Sequence, residues 1–324
     1  LSLNNNLFYP SAVFLERQEW LTMTVRTNSA PKSPKRILIA RGGAIGDFIL
    51  TLPVFQALKA SFPQVTLGCL SPAGRGQIAQ MAGLADEIRN VDDRCWASFF
   101  VRDSQLDGVA CNWLSSFDCI ISYLHDPSGT WKTNVVRVSD AFYLGGCHHP
   151  GEMSDVPASI SLLKVLQPIG IFHADPVPRI IYSNTVVKSE TIACHPGSGS
   201  ESKNWPEEYW CQLIALLLEQ GNMDLMIVGG ESETKRVRRL GSKFPNARLR
   251  LLLNEPLTSV ARELTRCKIF VGHDSGITHL AAALGVRCVV FWAQTNEKVW
   301  RPPGEMVHIL KPNNSAPIGP RAVF

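Results

Sequence analysis

Short unbroken apolar runs alternate along the chain with longer stretches whose apolar positions fall three and four residues apart. The first pattern reads as strands buried on both faces, the second as helices with one buried side. In the first half, Ile37-Leu38-Ile39-Ala40 is a strand that ends at glycines. A helix over 47–61, a strand over 65–70, a helix over 76–81 and a weaker strand over 87–91 follow. Residues 118–124 form the strongest strand of this half, and 160–166 carry helical spacing into a stretch punctuated by Pro168, Pro176 and Pro178. The second half restarts the same rhythm, with strands over 191–195, 224–228, 249–253, 269–272 and 288–292. Helices over 206–220, 233–243, 257–266 and 276–284 lie between them. Strands alternating with helices imply parallel sheets and ligands beyond the carboxyl ends of the strands. The expectation is an α/β protein: two Rossmann-like domains with parallel sheets facing a cleft. Residues 36–178 make the first domain with its linker, and 179–324 make the second. A small polar contact between them, and large relative motion, would follow from so simple a link.

Residues 1–35 stand apart. Asn4, Asn5, Asn6, Pro10, Ser29, Pro31, Ser33 and Pro34 signal coil, and Glu16 and Glu19 interrupt anything resembling a secretory signal. This segment is expected to be a disordered or non-native extension, with Met23 a plausible start shortly before the first strand.

Composition narrows the function. A chain of 324 residues suits two domains. Its 45% hydrophobic content excludes a disordered chain, and a net charge of +4 is too small for a dedicated nucleic-acid binder. That mild excess suits an enzyme of phosphorylated ligands or one working near an anionic membrane surface. No apolar run approaches the ~20 residues of a membrane span. The nine cysteines form no Cys-x-x-Cys pair, and several stand inside apolar runs, as small buried residues of a reducing cytoplasm do. Cys147-His148-His149 has no evident further ligand nearby, so no metal is expected.

Chemistry collects at the loops that leave the strands. Arg41-Gly42-Gly43-Ala44-Ile45-Gly46-Asp47 joins the first strand to the first helix. It fails the dinucleotide fingerprint, because Arg41 replaces the first glycine and Ser71-Pro72 replaces the acid after the second strand. No Gly-Lys-Ser/Thr marks a nucleotide triphosphate loop either. The residue types leave a tight turn at Gly43 and Gly46 that admits a ligand to the backbone. Asp47 is then either a first-turn helix acid or a base for a substrate hydroxyl. In the second half, His195-Pro196-Gly197-Ser198-Gly199-Ser200 leads to Lys203-Asn204-Trp205-Pro206. This is either a plain turn or a loop whose N–H groups, hydroxyls (Ser198, Ser200) and ammonium (Lys203) wrap a phosphate. Gly229-Gly230-Glu231-Ser232-Glu233 offers Glu231, or Glu233 in the other register, to ribose hydroxyls. Either acid could instead serve the helix that follows. Asp274-Ser275-Gly276 opens a helix at a strand end, a ready anion site, with His279 one turn in.

In this order these motifs, with Thr51-Leu52-Pro53 and His279-Leu280-Ala281-Ala282-Ala283-Leu284-Gly285, resemble glycosyltransferase family 9, the ADP-heptose:lipopolysaccharide heptosyltransferases. The resemblance covers about residues 36–300. It implies a GT-B fold, with the acceptor on the first domain and an ADP-sugar on the second, and inverting transfer in the cleft without a metal or cofactor. Asp47 matches the catalytic base and Lys203 the donor-phosphate lysine, with Ser198 and Ser200 in its loop. Glu231 matches the ribose acid, and Asp274, Ser275, Gly276 and His279 match the diphosphate-binding helix start. The implied partners are an ADP-sugar and a lipopolysaccharide-core or other glycan acceptor, with peripheral contact to the inner membrane and no nucleic acid. An idle nucleotide-sugar binder or another GT-B sugar-nucleotide enzyme is the alternative. Two positions depart from the family: Ala293-Gln294-Thr295-Asn296 keeps only the Thr of a Gly-Pro-Thr-Asp stretch, and His273 stands where Asn or Ser is common.

Overall fold

The computed structural model describes residues 29–151, 153–181, 189–220, 222–312 and 318–323. Most of the expected N-terminal extension, residues 1–28, lies outside them. Within its last residues, Lys35 is tied to the first sheet: its N–H donates to Asp118 Oδ2 at 2.7 Å, and its carbonyl accepts the Thr66 N–H at 2.8 Å.

Two parallel sheets form, as the alternation predicts. The first contains β1 (Arg36–Ala40), β2 (Thr66–Ser71), β3 (Glu87–Asn90), β4 (Cys119–Ser122) and β5 (Phe142–Gly145), in the order β3-β2-β1-β4-β5. Its helices are α1 (Ile45–Ser61), α2 (Arg75–Met81), α3 (Gly108–Leu114), α4 (Thr130–Val138) and α5 (Ala158–Leu163). The second contains β6 (Thr191–His195), β7 (Asp224–Gly229), β8 (Leu249–Leu253), β9 (Ile269–His273), β10 (Arg287–Phe291) and β11 (Val307–Leu310), in the order β11-β10-β9-β6-β7-β8. Its helices are α6 (Glu207–Gln220), α7 (Thr234–Lys243), α8 (Leu257–Arg266), α9 (Gly276–Ala283) and the short α10 (Glu297–Trp300). Chain order reverses between β1 and β4 in one sheet and between β6 and β9 in the other. Such a switch leaves a crevice at the strands' carboxyl ends, where ligands bind. The loops singled out in the sequence leave β1, β6 and β9 at those two points.

The central strands are apolar throughout because helices cover both faces: Ile37, Leu38, Ile39 and Ala40 are fully buried. One face of the first sheet carries an aromatic core of Trp96, Phe99, Trp113, Phe117 and Trp131. One face of the second carries Trp205, Trp210, Leu213 and Val237. The third core is shared. Phe48, Leu52 and Phe55 of α1 and Ile78 of α2 belong to the same buried cluster as Val260 and Leu264 of α8 and Leu280 of α9. The expected small polar contact is therefore wrong. The domains meet through α1 and α9 across a continuous apolar core, because those helices carry apolar residues on the face turned to the other domain as well as to their own sheet. The connection adds hydrogen bonds, the Ile180 N–H to the Ala283 carbonyl at 2.9 Å and the Arg179 N–H to Gln56 Oε1 at 3.0 Å. Large relative motion would have to break this core.

The approach of α1 to α9 is closest at two glycines. A side chain at Gly276 would put its Cβ 2.6 Å from Ile45 Cβ and 3.0 Å from the Gly46 backbone nitrogen. A Cβ at Gly46 would meet His279 Cδ2 at 3.1 Å. Gly276→Ala must push the helices apart, at an overpacking cost of about 1–3 kcal/mol. We expect a lower unfolding temperature and a larger radius of gyration in solution scattering; a variant unchanged in both would show that the contact yields freely.

Candidate active site

On the first domain, the turn after β1 sets the position of Asp47. Gly43 adopts φ +84, and a Cβ there would stand 2.8 Å from Asp47 Oδ2, so only glycine fits on both counts. The Asp47 carboxylate folds back onto its own helix start, with Oδ2 accepting the Ala44 N–H at 2.9 Å. Its other oxygen, Oδ1, lies 3.6 Å from Arg41 Nη2. Thr51 donates its hydroxyl to the Asp47 carbonyl at 2.8 Å, tying the first turn. Arg41 is 1% exposed; its Nη1 donates to the His148 carbonyl at 2.6 Å, and its guanidinium lies over the Tyr123 ring. Burial lowers the pKa of this guanidinium, and Asp47 pulls it back up. In the sequence Arg41 stands as a mismatch to the dinucleotide fingerprint and as part of the Arg41–Asp47 motif; in the structure it is the buried cation beside the acid. Its place at the end of an apolar strand was the available signal.

His148 comes from the loop after β5 and shares a hydrogen bond with His125, Nε2 to Nδ1 at 3.1 Å. Burial, the neighbouring His125 and His149, and Arg41 all lower its pKa. Among the described residues, no group of three His, Cys, Asp or Glu side chains could hold a metal ion. All nine cysteines are free thiols, and burial raises Cys69, Cys119, Cys194 and Cys288 to about 12.

On the second domain, the loop after β6 is held from several sides. Lys203 pairs with Asp274, Nζ to Oδ2 at 2.9 Å, and Thr295 donates its hydroxyl to the same oxygen at 2.5 Å. The departure at 293–296 thus keeps the residue that meets Asp274. The Ser198 hydroxyl reaches the Ser200 carbonyl at 2.9 Å and Asn204 Oδ1 at 2.8 Å, one at a time, while Ser200 is half-buried. From α7, Arg236 donates to the Pro196 carbonyl at 2.9 Å and pairs with Glu201. Of the two acids after β7, Glu233 packs on Gly197 and accepts the Gly230 N–H at 3.0 Å. Glu231 is exposed, and among the described residues its side chain makes no hydrogen bond or ion pair. The structure therefore brings Glu233, the alternative register, against the loop.

The start of α9 faces the start of α1. Ser275 is the N-cap, its Oγ accepting the Thr278 N–H at 3.3 Å, and Thr278 donates its hydroxyl to the His273 carbonyl. N–H groups of the first turn lack partners within the helix and favour an anion. His279, 5% exposed, lies on Gly46, with the charges of Asp274, Asp47 and Lys203 acting on it. Burial holds its pKa below the usual value, against the pull of the two carboxylates. The arrangement brings an acid, a buried cation, a helix start and a lysine to one cleft, the set needed to activate a hydroxyl on one side and receive an anion on the other.

No helix among the described residues is long and apolar enough to cross a membrane. The family model for glycosyltransferase family 9 (heptosyltransferase) matches residues 171–318. Lipopolysaccharide heptosyltransferase 1 of Escherichia coli O18:K1:H7 is 33% identical over 316 residues, 86% of this chain and 95% of that protein. The same enzyme from Escherichia coli K12 is 34% identical over 277 residues, 77% of this chain and 85% of that protein. The structure of E. coli heptosyltransferase WaaC with ADP superposes with a TM-score of 0.71 at 20% identity, covering 89% of this chain and 97% of that one. That of E. coli ADP-heptose lps heptosyltransferase II gives 0.70 at 15% identity, covering 89% and 96%. The two parallel-sheet α/β domains of this chain share the GT-B fold of those structures. With relatives a third identical along most of its length, the chain belongs to glycosyltransferase family 9, the heptosyltransferase family.

Proposed function

We propose that the protein transfers a heptose, with inversion, from an ADP-sugar held by the second domain to a lipopolysaccharide-core acceptor held by the first. One observation carries the reading: the first turn of α1, which carries Asp47, meets the start of α9 across the domain contact, where the charges of both Asp47 and Asp274 act on His279. A base and an anion site from different domains are what an in-line displacement needs on opposite faces of the sugar. The relatives named above supply the sugar and the acceptor.

In this reading Asp47 takes the proton of the acceptor hydroxyl as its oxygen bonds to the anomeric carbon. The bond from that carbon to the diphosphate breaks on the far side. Charge growing on the departing ADP is met by Lys203, by the first-turn N–H groups of α9 and by a hydrogen bond from His279. Asp274 holds the lysine in place, and Ser198 and Ser200 shape its loop. Glu231 and Glu233 are the acids available to the ribose. The buried Arg41 stands beside Asp47, its Nη2 3.6 Å from Oδ1. The reading carries with it a cytoplasmic protein that meets the inner membrane only peripherally.

Turnover of a panel of nucleotide-sugars with a lipopolysaccharide-core acceptor tests the whole; release of an altered sugar without acceptor would overturn it. Asp47→Asn should lower transfer by about 10²–10⁴-fold while ADP affinity stays within a few fold. Near-normal turnover by the folded variant would remove Asp47 from the base role.

Lys203→Ala removes a cation and leaves Asp274, 10% exposed, without its ionic partner beside the anion. ADP affinity measured by calorimetry should fall about 10–150-fold, the range of a charge-assisted contact. Unchanged affinity and rate would place the diphosphate elsewhere.

Since organic cations and dipoles suffice for the leaving charge here, transfer should survive EDTA. Loss restored only by one divalent ion would reveal a metal step.

A further inference from the structure

His273 is fully buried at the carboxyl end of β9, against the rings of Trp210 and Phe291, and the Trp205 ring stacks on Phe291. Both ring nitrogens are engaged, and by the two ends of the same loop. Nε2 accepts the Trp205 N–H at 2.7 Å. Nδ1 faces the Gly197 carbonyl at 3.3 Å, which only an N–H can satisfy. The partners assign the tautomer: a lone pair on Nε2 and a proton on Nδ1. A second proton would destroy the Trp205 bond, and burial holds the pKa at about 3, so the ring stays neutral at any physiological pH. The next residue, Asp274, grips the ammonium of Lys203, two positions before Trp205. The pair His273-Asp274 thus holds the loop three times, at both backbone ends and at its cation.

We propose that His273 is a positioning residue for the diphosphate loop, setting where Lys203 stands by clamping Gly197 and Trp205 to the end of β9. The inference rests on the reading of that loop as the donor site. His195, also buried, spends its Nδ1–H on the Val228 carbonyl at 3.0 Å and ties strands rather than the loop, so the clamp belongs to His273. A glutamine can place its amide oxygen near the position of Nε2, whereas phenylalanine keeps the ring volume and removes both bonds.

The test is ADP calorimetry on the full chain carrying His273→Phe, His273→Gln, Lys203→Ala and the Phe/Ala pair. His273→Phe should weaken ADP about tenfold, the consequence of leaving a buried donor unpaired beside the binding loop. His273→Gln should recover most of that loss. Because the clamp acts through Lys203, adding Lys203→Ala to His273→Phe should cost clearly less than it costs alone; contacts that merely support the fold would leave the two effects multiplying. ADP affinity unchanged in His273→Phe, or full multiplication of the two effects, overturns the inference. Absence of ADP binding by the unmodified protein overturns the donor reading itself. Should His273→Phe fail to fold, hydrogen exchange on the unmodified protein decides. The Trp205 amide is expected to exchange slowly without nucleotide, and exchange as fast as exposed loop amides overturns the clamp.

Discussion

The starts of α1 and α9 are pressed together at Gly46 and Gly276, and most of the site follows from that contact. Each helix start carries about half a positive charge, and two such ends facing each other repel. The chain answers with acids at both: Asp47 in the first turn of α1 and Asp274 just before α9. Each acid is then given a cation of its own domain, Arg41 for Asp47 and Lys203 for Asp274. Two glycines therefore bring Asp47 and the start of α9 to the same contact, and the pairing keeps either acid from being a bare buried charge.

Much of this was legible in the sequence, for a physical reason. Strands in parallel sheets are buried on both faces, so their apolar runs are unbroken, and the loops after them carry glycine and polar residues that nothing else explains. Residues 191–195, 249–253 and 257–266 have the same bounds in sequence and structure. Two of the edge strands gave weaker signals: Phe142–Gly145 and Val307–Leu310 each pair on one side only, and both are short and partly exposed. The helices Gly108–Leu114 and Thr130–Val138 were missed because tryptophans take their buried positions, packing into one aromatic core rather than showing a regular apolar stripe.

The domain contact was misjudged because it depends on small residues. Gly46 and Gly276 read as loop and helix-start glycines, and only three-dimensional proximity shows that each makes room for the other helix. The same holds for Arg41 and His273. In sequence one was a mismatch to a fingerprint and the other a departure from a family pattern. Their work consists of bonds to backbone groups far along the chain, at His148 for the first and at Gly197 and Trp205 for the second. Side chains that serve backbone carbonyls and N–H groups leave no partner motif to read.

A shared apolar core and a ligand-bridged cleft make different demands on the same contact. Burial of α1 against α9 favours the arrangement described here, in which Asp47 already faces the start of α9. In the proposed function an acceptor must still enter beside Asp47 and an ADP-sugar beside Lys203. Motion that admits them is cheapest where the contact is polar and small, at the Lys298–Asp155 pair and the Asn296 amide on the Ser154 carbonyl. It is costliest at Phe48, Leu52 and Leu280, where opening would expose apolar surface. The geometry therefore favours a hinge at α1 and α9 with the opposite rim swinging. Such a hinge keeps the helix starts in register, so the distance from Asp47 to the start of α9 changes least, as the proposed chemistry requires.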